Sequence, residues 1–219
     1  FWARYKRNHA AVFGLFVIVL IIVMAITASF LYPEDPFRLV GKPLSKPLTN
    51  GFLLGSDSLG RDVASGIVHG AKTSLLIGFV ATLVSVFVGI FFGAFAGYFG
   101  GIIDDILMRV TEIFQTIPSF IFAILLVAIM KPSMGSIVIA IAVVSWPGVA
   151  RLVRGEFLAV KNREFVQACH TLGMSDLRIM LWEILPNCLS PIIVVGSLMV
   201  ATAIPVSYTH LTLPTTDRV

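Results

Sequence analysis

The sequence predicts an all-α protein that crosses a membrane several times, and three observations lead there. Hydrophobic residues make up 57% of the 219 residues and charged ones only 13%, with a mean hydropathy of +0.94. A soluble domain of this size would carry about twice that charge. Several apolar runs approach or exceed the ~18 residues that mark a membrane span. One polar stretch, from Arg151 to Asn187, interrupts these runs. Arg151, Arg154, Lys161, Arg163 and Arg178 concentrate in it with Glu156, Glu164, Asp176 and Glu183. It carries no constellation that reads as a catalytic centre.

The formal net charge of +4 does not point to nucleic acid. The basic residues sit at span ends and in the polar stretch, where orientation and lipid contact explain them. Cys169 and Cys188 have neither a zinc-ligand spacing nor a small secreted scaffold around them, so no metal or disulfide is assigned. No cofactor is expected.

Taken in order, residues 1–9 form a cationic N-terminal segment with Arg4, Lys6 and Arg7 beside Trp2 and Tyr5. An apolar run from Ala10 to Leu31 follows. It is too long for a typical signal-peptide core and lacks a small-residue cleavage site, so it reads as a retained first transmembrane helix. The chain starts at Phe1 and reads as a fragment. Residues 32–73 form a connection with Pro33, Pro36, Pro43 and Pro47, expected to be extended. Gly55-Ser56-Asp57 is expected to turn the chain into an interfacial helix beginning near Asp62. Gly70-Ala71-Lys72-Thr73 hints at a phosphate loop, but the required glycine before Lys72 is missing and no strand precedes it. ATP binding by this chain is rejected.

The transmembrane core is placed at 74–205. Its first span runs from about Ser74 to Tyr98, with small residues every fourth position: Ala81, Ser85, Gly89, Gly93 and Gly97. Such a stripe lets another helix backbone approach closely. It serves either tight packing or the wall of a solute path. Phe87, Phe91 and Phe95 occupy other faces. Gly100-Gly101 ends the helix. Asp104, Asp105, Arg109 and Glu112 form a short charged segment before a span from about Ile113 to Met130, which Pro118 should kink. The next span is expected from Ser136 to about Ala150, near Trp146 and Pro147, and the last from Cys188 through Ala203.

With a cytoplasmic N-terminus, the connection after the second span and the 151–187 stretch are cytoplasmic as well. That side then holds Arg4, Lys6, Arg7, Arg109, Arg151, Arg154, Lys161, Arg163 and Arg178, against Arg38, Lys42, Lys46, Arg61, Lys72 and Lys131 opposite. Within the stretch, Glu164 to Leu172 favours helix and Gly173 suits a left-handed terminator. Ser175 or Asp176 can cap a second helix, in which Leu177, Met180, Leu181 and Ile184 share a face until Pro186. The pair could fit a groove on a cytoplasmic partner or lie on the membrane surface.

The stretch resembles the EAA loop of ABC-importer permeases. Gln167-Ala168-Cys169, then Gly173, then Leu185-Pro186 stand where that pattern has E-A-A, three residues, Gly and a distal I-x-L-P; Gln167 and Cys169 depart from it. The segment Leu54-Gly55-Ser56-Asp57-Ser58-Leu59-Gly60-Arg61-Asp62 is similar to an element of the dipeptide/oligopeptide/nickel importer family, second permease subunit. So are Gly97-Tyr98-Phe99-Gly100-Gly101, Trp146-Pro147-Gly148, the run Ala150 to Glu156, and Ile184-Leu185-Pro186-Asn187.

The resemblance implies a type I importer-permease helix bundle with about five spans present and a sixth missing, and no catalytic residues of its own. It implies a homologous second permease subunit, two cytoplasmic ATPases, an extracytoplasmic solute-binding protein and a prokaryotic inner membrane. Peptides are the default solute, with nickel complexes and glutathione as other members' cargo. Glu164, Gln167, Ala168, Cys169, Gly173, Ser175 and Asp176 would form the ATPase-coupling loop. Ser85, Gly89, Gly93 and Gly97 would form the helix-packing stripe.

The run from Val206 to Val219 reads VSYTHLTLPTTDRV, which resembles translated sequencing adapter, and 206–219 is expected to be an assembly artefact. Two rival classes fit the sequence less well. A secondary transporter would place ionisable residues at mid-span, where this chain has essentially none. A haem-bearing subunit needs axial ligands inside spans, yet His9, His69 and His170 lie outside them.

Overall fold

A computed structural model describes residues 6–49, 51–131 and 133–209, with side chains through Ala203. Arg4 of the cationic segment and residues 210–219 of the expected artefact lie outside the described residues; 206–209 continue the last helix. The chain divides into two compact units, Phe1–Leu76 and Ile77–Val219, described here one at a time.

The first unit opens with α1, His9–Leu31, whose first turn is capped by Asn8 Oδ1 accepting from Ala11 N–H at 3.2 Å. Only Ala25 and Ala28 are buried along it, while Phe13, Phe16, Ile26 and Phe30 are exposed. Such a surface suits hydrocarbon as solvent.

The connection after α1 is folded back on itself and not extended as its prolines suggested. Asp57 organises it: Oδ1 accepts from Leu59 N–H at 2.9 Å and from Arg61 N–H at 2.8 Å. The buried Ser56 hydroxyl donates to Lys42 O at 2.6 Å and accepts from Ser45 N–H at 2.9 Å. Val40 and Gly41 both donate to Gly60 O. These side chains satisfy backbone groups that proline-rich chain would otherwise leave to water.

Asp62 then caps α2, Val63–Phe99, accepting from Ala64 N–H at 2.9 Å. The expected separate interfacial helix does not exist as such. No proline falls between Asp62 and Phe99, and α2 runs without a break through the position where the span was to begin. Gly70 to Thr73 lie inside it, where helical hydrogen bonding leaves no free N–H cradle for phosphate.

The second unit contains the rest of α2, then α3 (Gly101–Thr116), α4 (Ser119–Met130), α5 (Met134–Val160), α6 (Glu164–Thr171), α7 (Asp176–Arg178), a π-helical turn (Ile179–Ile184) and α8 (Leu185–Thr209). Gly100 at φ +66° and Gly101 at φ +52° make the α2–α3 turn.

The charged segment after Gly101 is not a prelude to a span but the first half of a bent pair. Pro118 breaks the helix where a kink was expected, and α3 and α4 meet at 83°. Ile117 takes an extended ψ of 132°, as the steric rule for residues before proline requires, and Pro118 itself has ψ 126°.

α5 outruns its expected end by ten residues. Its first turn is held by a capping box between Ser133 and Ser136. Past Ala150 the buried stripe continues as Val153, Phe157 and Val160, so packing overrides the polarity of Arg151, Arg154 and Glu156. Among the described residues, four helices are long and apolar enough to cross a membrane, or five spans if the bent α3–α4 pair counts as one.

Two apolar clusters hold the second unit. One joins Ile77 and Ala81 to Ala123, Val127, Ala140, Ile141 and Ala203. The other joins Val149, Val153 and Phe157 of α5 to Val166 of α6, Ile179, Met180 and Ile184 of the π turn, and Cys188 and Ile192 of α8.

Candidate functional site

The small-residue stripe of α2 lies along α5. A Cβ at Gly89 would stand 2.5 Å from Val149 Cβ, and one at Gly97 would stand 2.6 Å from Phe157 Cβ. At Gly93 it would overlap the Ala150 carbonyl oxygen. Ser85 completes the stripe: its hydroxyl donates to Ala81 O at 2.8 Å and reaches Ala142 O across the interface at 3.3 Å. Trp146 sits between Phe92 and Phe114, with ring centroids 4.7 and 5.3 Å away.

Beside this interface lies a cavity of about 230 Å³ lined by α2, α4, α5 and α8. Thr82, Ser85, Ser119, Ser145 and Thr202 contribute hydroxyls to its wall. Thr82 is buried, and its hydroxyl has no hydrogen-bond partner.

The polar stretch folds from local rules. α6 ends in a full Schellman motif: Met174 N–H donates to Cys169 O at 3.2 Å and Gly173 N–H to His170 O at 3.0 Å. Gly173 holds φ at +74° with open space where a Cβ would be. Ser175 occupies the N-cap position of α7 without a side-chain cap bond, and Asp176 is in its first turn.

The face expected for the second helix differs. Met180 and Ile184 are buried with Ile179, whereas Leu177 and Leu181 are exposed. A π-helical turn changes the period, with Leu185 N–H donating to Met180 O five residues back. Pro186 supplies the reason, because its ring would meet the Trp182 carbonyl in a regular α-helix.

The expected loop residues therefore share one projection with two sides. Val166, Ile179 and Met180 enter the core, and Cys169 and Met174 pack partly against it. Glu164, Gln167, Ala168, Gly173, Ser175 and Asp176 are exposed, beside exposed Leu172 and Leu177. Both cysteines are free thiols.

Two polar links tie this region to the bundle, and periodicity gave neither. Tyr98, at the end of α2, donates its hydroxyl to Asp176 Oδ1 at 2.6 Å, lies 3.4 Å from His170 Nε2 and stacks on that imidazole. Its own carbonyl accepts from Lys161 Nζ at 3.3 Å. Arg154 of α5 grips the largely buried Asp104 of α3 through two bonds, Nε to Oδ1 at 2.5 Å and a guanidinium NH2 to Oδ2 at 2.6 Å. The sequence signal for both was weak: a lone Tyr before Gly-Gly, and an Asp among other charges, each with its partner far along the chain.

The profile of the family described as the inner membrane component of binding-protein-dependent transport systems matches residues 89–208. The profile described as the N-terminal transmembrane domain of oligopeptide transport permease C matches residues 1–46. The dipeptide transport system permease protein DppC of Escherichia coli strain K12 is 42% identical over 210 residues, covering 93% of this chain and 70% of its own. The protein of the same description from Bacillus subtilis strain 168 is 39% identical over 203 residues, covering 93% and 63%. The oligopeptide permease protein OppC of that organism is 36% identical over 201 residues, covering 92% and 66%. The chain thus spans about two thirds of the length of these relatives. An inward-facing structure of the MetNI methionine ABC transporter superposes with a TM-score of 0.56 at 19% identity, over 64% of this chain and 71% of that one, a likeness of fold.

Proposed function

Since this chain belongs to the family of binding-protein-dependent transport system inner membrane components, we propose that it is a permease subunit of an ATP-driven importer of dipeptides or oligopeptides. The solute class rests on what the relatives' descriptions say of those proteins. Family membership lends no support to a secondary transporter working without an ATPase. Hydrolysis would belong to separate subunits, and this chain would contribute the path and its movement.

The observation that carries the reading is the two-sided projection between α5 and α8. Its inner side is continuous with the bundle core, and its outer side exposes Glu164, Gln167, Ala168, Ser175 and Asp176. A rigid knob fused to the bundle can pass a push from a cytoplasmic ATPase into the spans. A flexible loop would absorb it. The partners are a homologous permease subunit, two ATPase subunits and an extracytoplasmic binding protein, with the N-terminus and the projection both in the cytoplasm. ATP and the loaded binding protein shift the bundle between two states only through their different affinities for them.

Co-purification tests it. The chain expressed with its partner subunits should retain an ATPase in detergent. Loss of the ATPase on replacing Ala168 and Leu172 by arginine, with membrane insertion unchanged, is the expected result. An ATPase retained at wild-type level by that variant would remove the projection from the contact.

A further inference from the structure

We propose that Tyr98 is a positioning residue that ties the projection to α2, so that a push on the projection moves α2 together with α5. This rests on the coupling role given above and adds a second route into the bundle. The core already fixes the projection to α5 and α8, through Phe157, Val166, Ile179 and Ile192. On α2 the same core takes in Ala94, with Ile90 and Phe95 beside it, through apolar contacts that set no direction. The Tyr98 hydroxyl is the hydrogen-bonding group of that helix that reaches both arms of the projection: His170 on α6 and Asp176 on α7.

The chemistry suits a tether. A phenol donating to a carboxylate at 2.6 Å is a charge-assisted bond, stronger than a neutral pair. The His170 imidazole lies roughly parallel to the ring, with centroids 6.3 Å apart, and its Nε2 is 3.4 Å from the same hydroxyl. The Lys161 ammonium on the Tyr98 carbonyl holds the base of the same residue to the end of α5. The end of α5, α6 and α7 therefore meet at one residue, where α2 stops and the chain turns through Gly100.

The stripe gives the link its mechanical sense. Gly89, Gly93 and Gly97 let Val149, Val153 and Phe157 of α5 seat directly against the α2 backbone. The Ser85–Ala142 bond and the Phe92–Trp146 contact hold the two helices farther along, away from the projection. The Tyr98 bond extends that hold to the projection itself.

The test uses the assembled importer with spin labels on Leu172→Cys and Phe91→Cys. Cys169 is replaced by Ala, and the fully buried Cys188 is left in place. Distances are compared without nucleotide and with ATP and vanadate. In the parent protein the distance is expected to stay unchanged between the two states. In Y98F, which keeps the stacked ring, it should shift or broaden in the trapped state. Stimulation of ATP hydrolysis by the binding protein should fall by about tenfold or more, the scale of one hydrogen bond to a charged group.

In the distance readout D176A should match Y98F, the Y98F/D176A double variant should be no worse than either, and D176N, which keeps an acceptor oxygen but loses the charge, should fall between Y98F and the parent. Assembly and thermal midpoint should be unchanged in Y98F, which leaves the exposed face of the projection intact. Y98F indistinguishable from the parent, or a double variant worse than both singles, overturns the tether. Absence of the ATPase from the parent complex would instead overturn the coupling role, and the tether with it.

Discussion

Gly173 stands in open space at φ +74°, so its position demands a backbone conformation and not a small volume. Gly173→Val should therefore abolish ATP-driven uptake while the protein still inserts, because a β-branched residue costs about 1–2 kcal/mol there and loosens the Schellman turn. Gly173→Asn should keep most of the uptake; equal loss in both variants would mean that contact with the partner, and not φ, excludes side chains. Thr82 poses the opposite case, a buried hydroxyl without a partner beside a cavity. Thr82→Val removes that group at nearly constant volume and should stabilise the purified complex by about 1 kcal/mol, a rise of a few degrees in thermal midpoint. A lower midpoint would show that the hydroxyl is satisfied in the working protein.

Between elements, the α2–α5 contact and the Asp104–Arg154 pair set the geometry. Gly93→Leu should cost about 1–3 kcal/mol or more by overpacking, since the side chain would enter the α5 backbone at Ala150. The check is the yield of protease-resistant protein in membranes, and Gly148→Ala, where a Cβ meets nothing, serves as control. Asp104→Asn should lose about 1–3 kcal/mol, between the exposed and buried limits for ion pairs, because Arg154 remains about a third exposed. A cycle with Arg154→Met that shows no coupling would reduce the pair to bystanders.

What the sequence made legible follows the range of the cause. The glycine stripe and Gly173 were readable because spacing and φ are local. The 83° break was underestimated, since Pro118 announces disruption but not its angle. The far end of α5 is hard to read because Val153, Phe157 and Val160 keep their buried period inside a charged run that masks it. The π turn and the Tyr98 and Asp104 links depend on Pro186 or on partners far away in sequence. No window of a few residues contains them.

At the scale of the whole chain, orientation is the property to test first. Single cysteines at Leu44 and Leu172, both largely exposed, should separate the two sides. With Cys169 replaced by Ala, a membrane-impermeant maleimide should label the first in intact spheroplasts and the second only in inverted vesicles; the reverse pattern would turn the proposed topology over. The uninterrupted α5 adds a last consequence. Gly93 of α2 faces it at Ala150, where the helices leave no room for a Cβ. From there the arm to Val160, beside the projection, is ~15 Å, and the arm to Met134, at the opposite end of the helix, is ~24 Å, at 1.5 Å per residue. If α2 and α5 tilt as one body about this level, a short stroke at the projection arrives at the far end enlarged by about 1.6-fold.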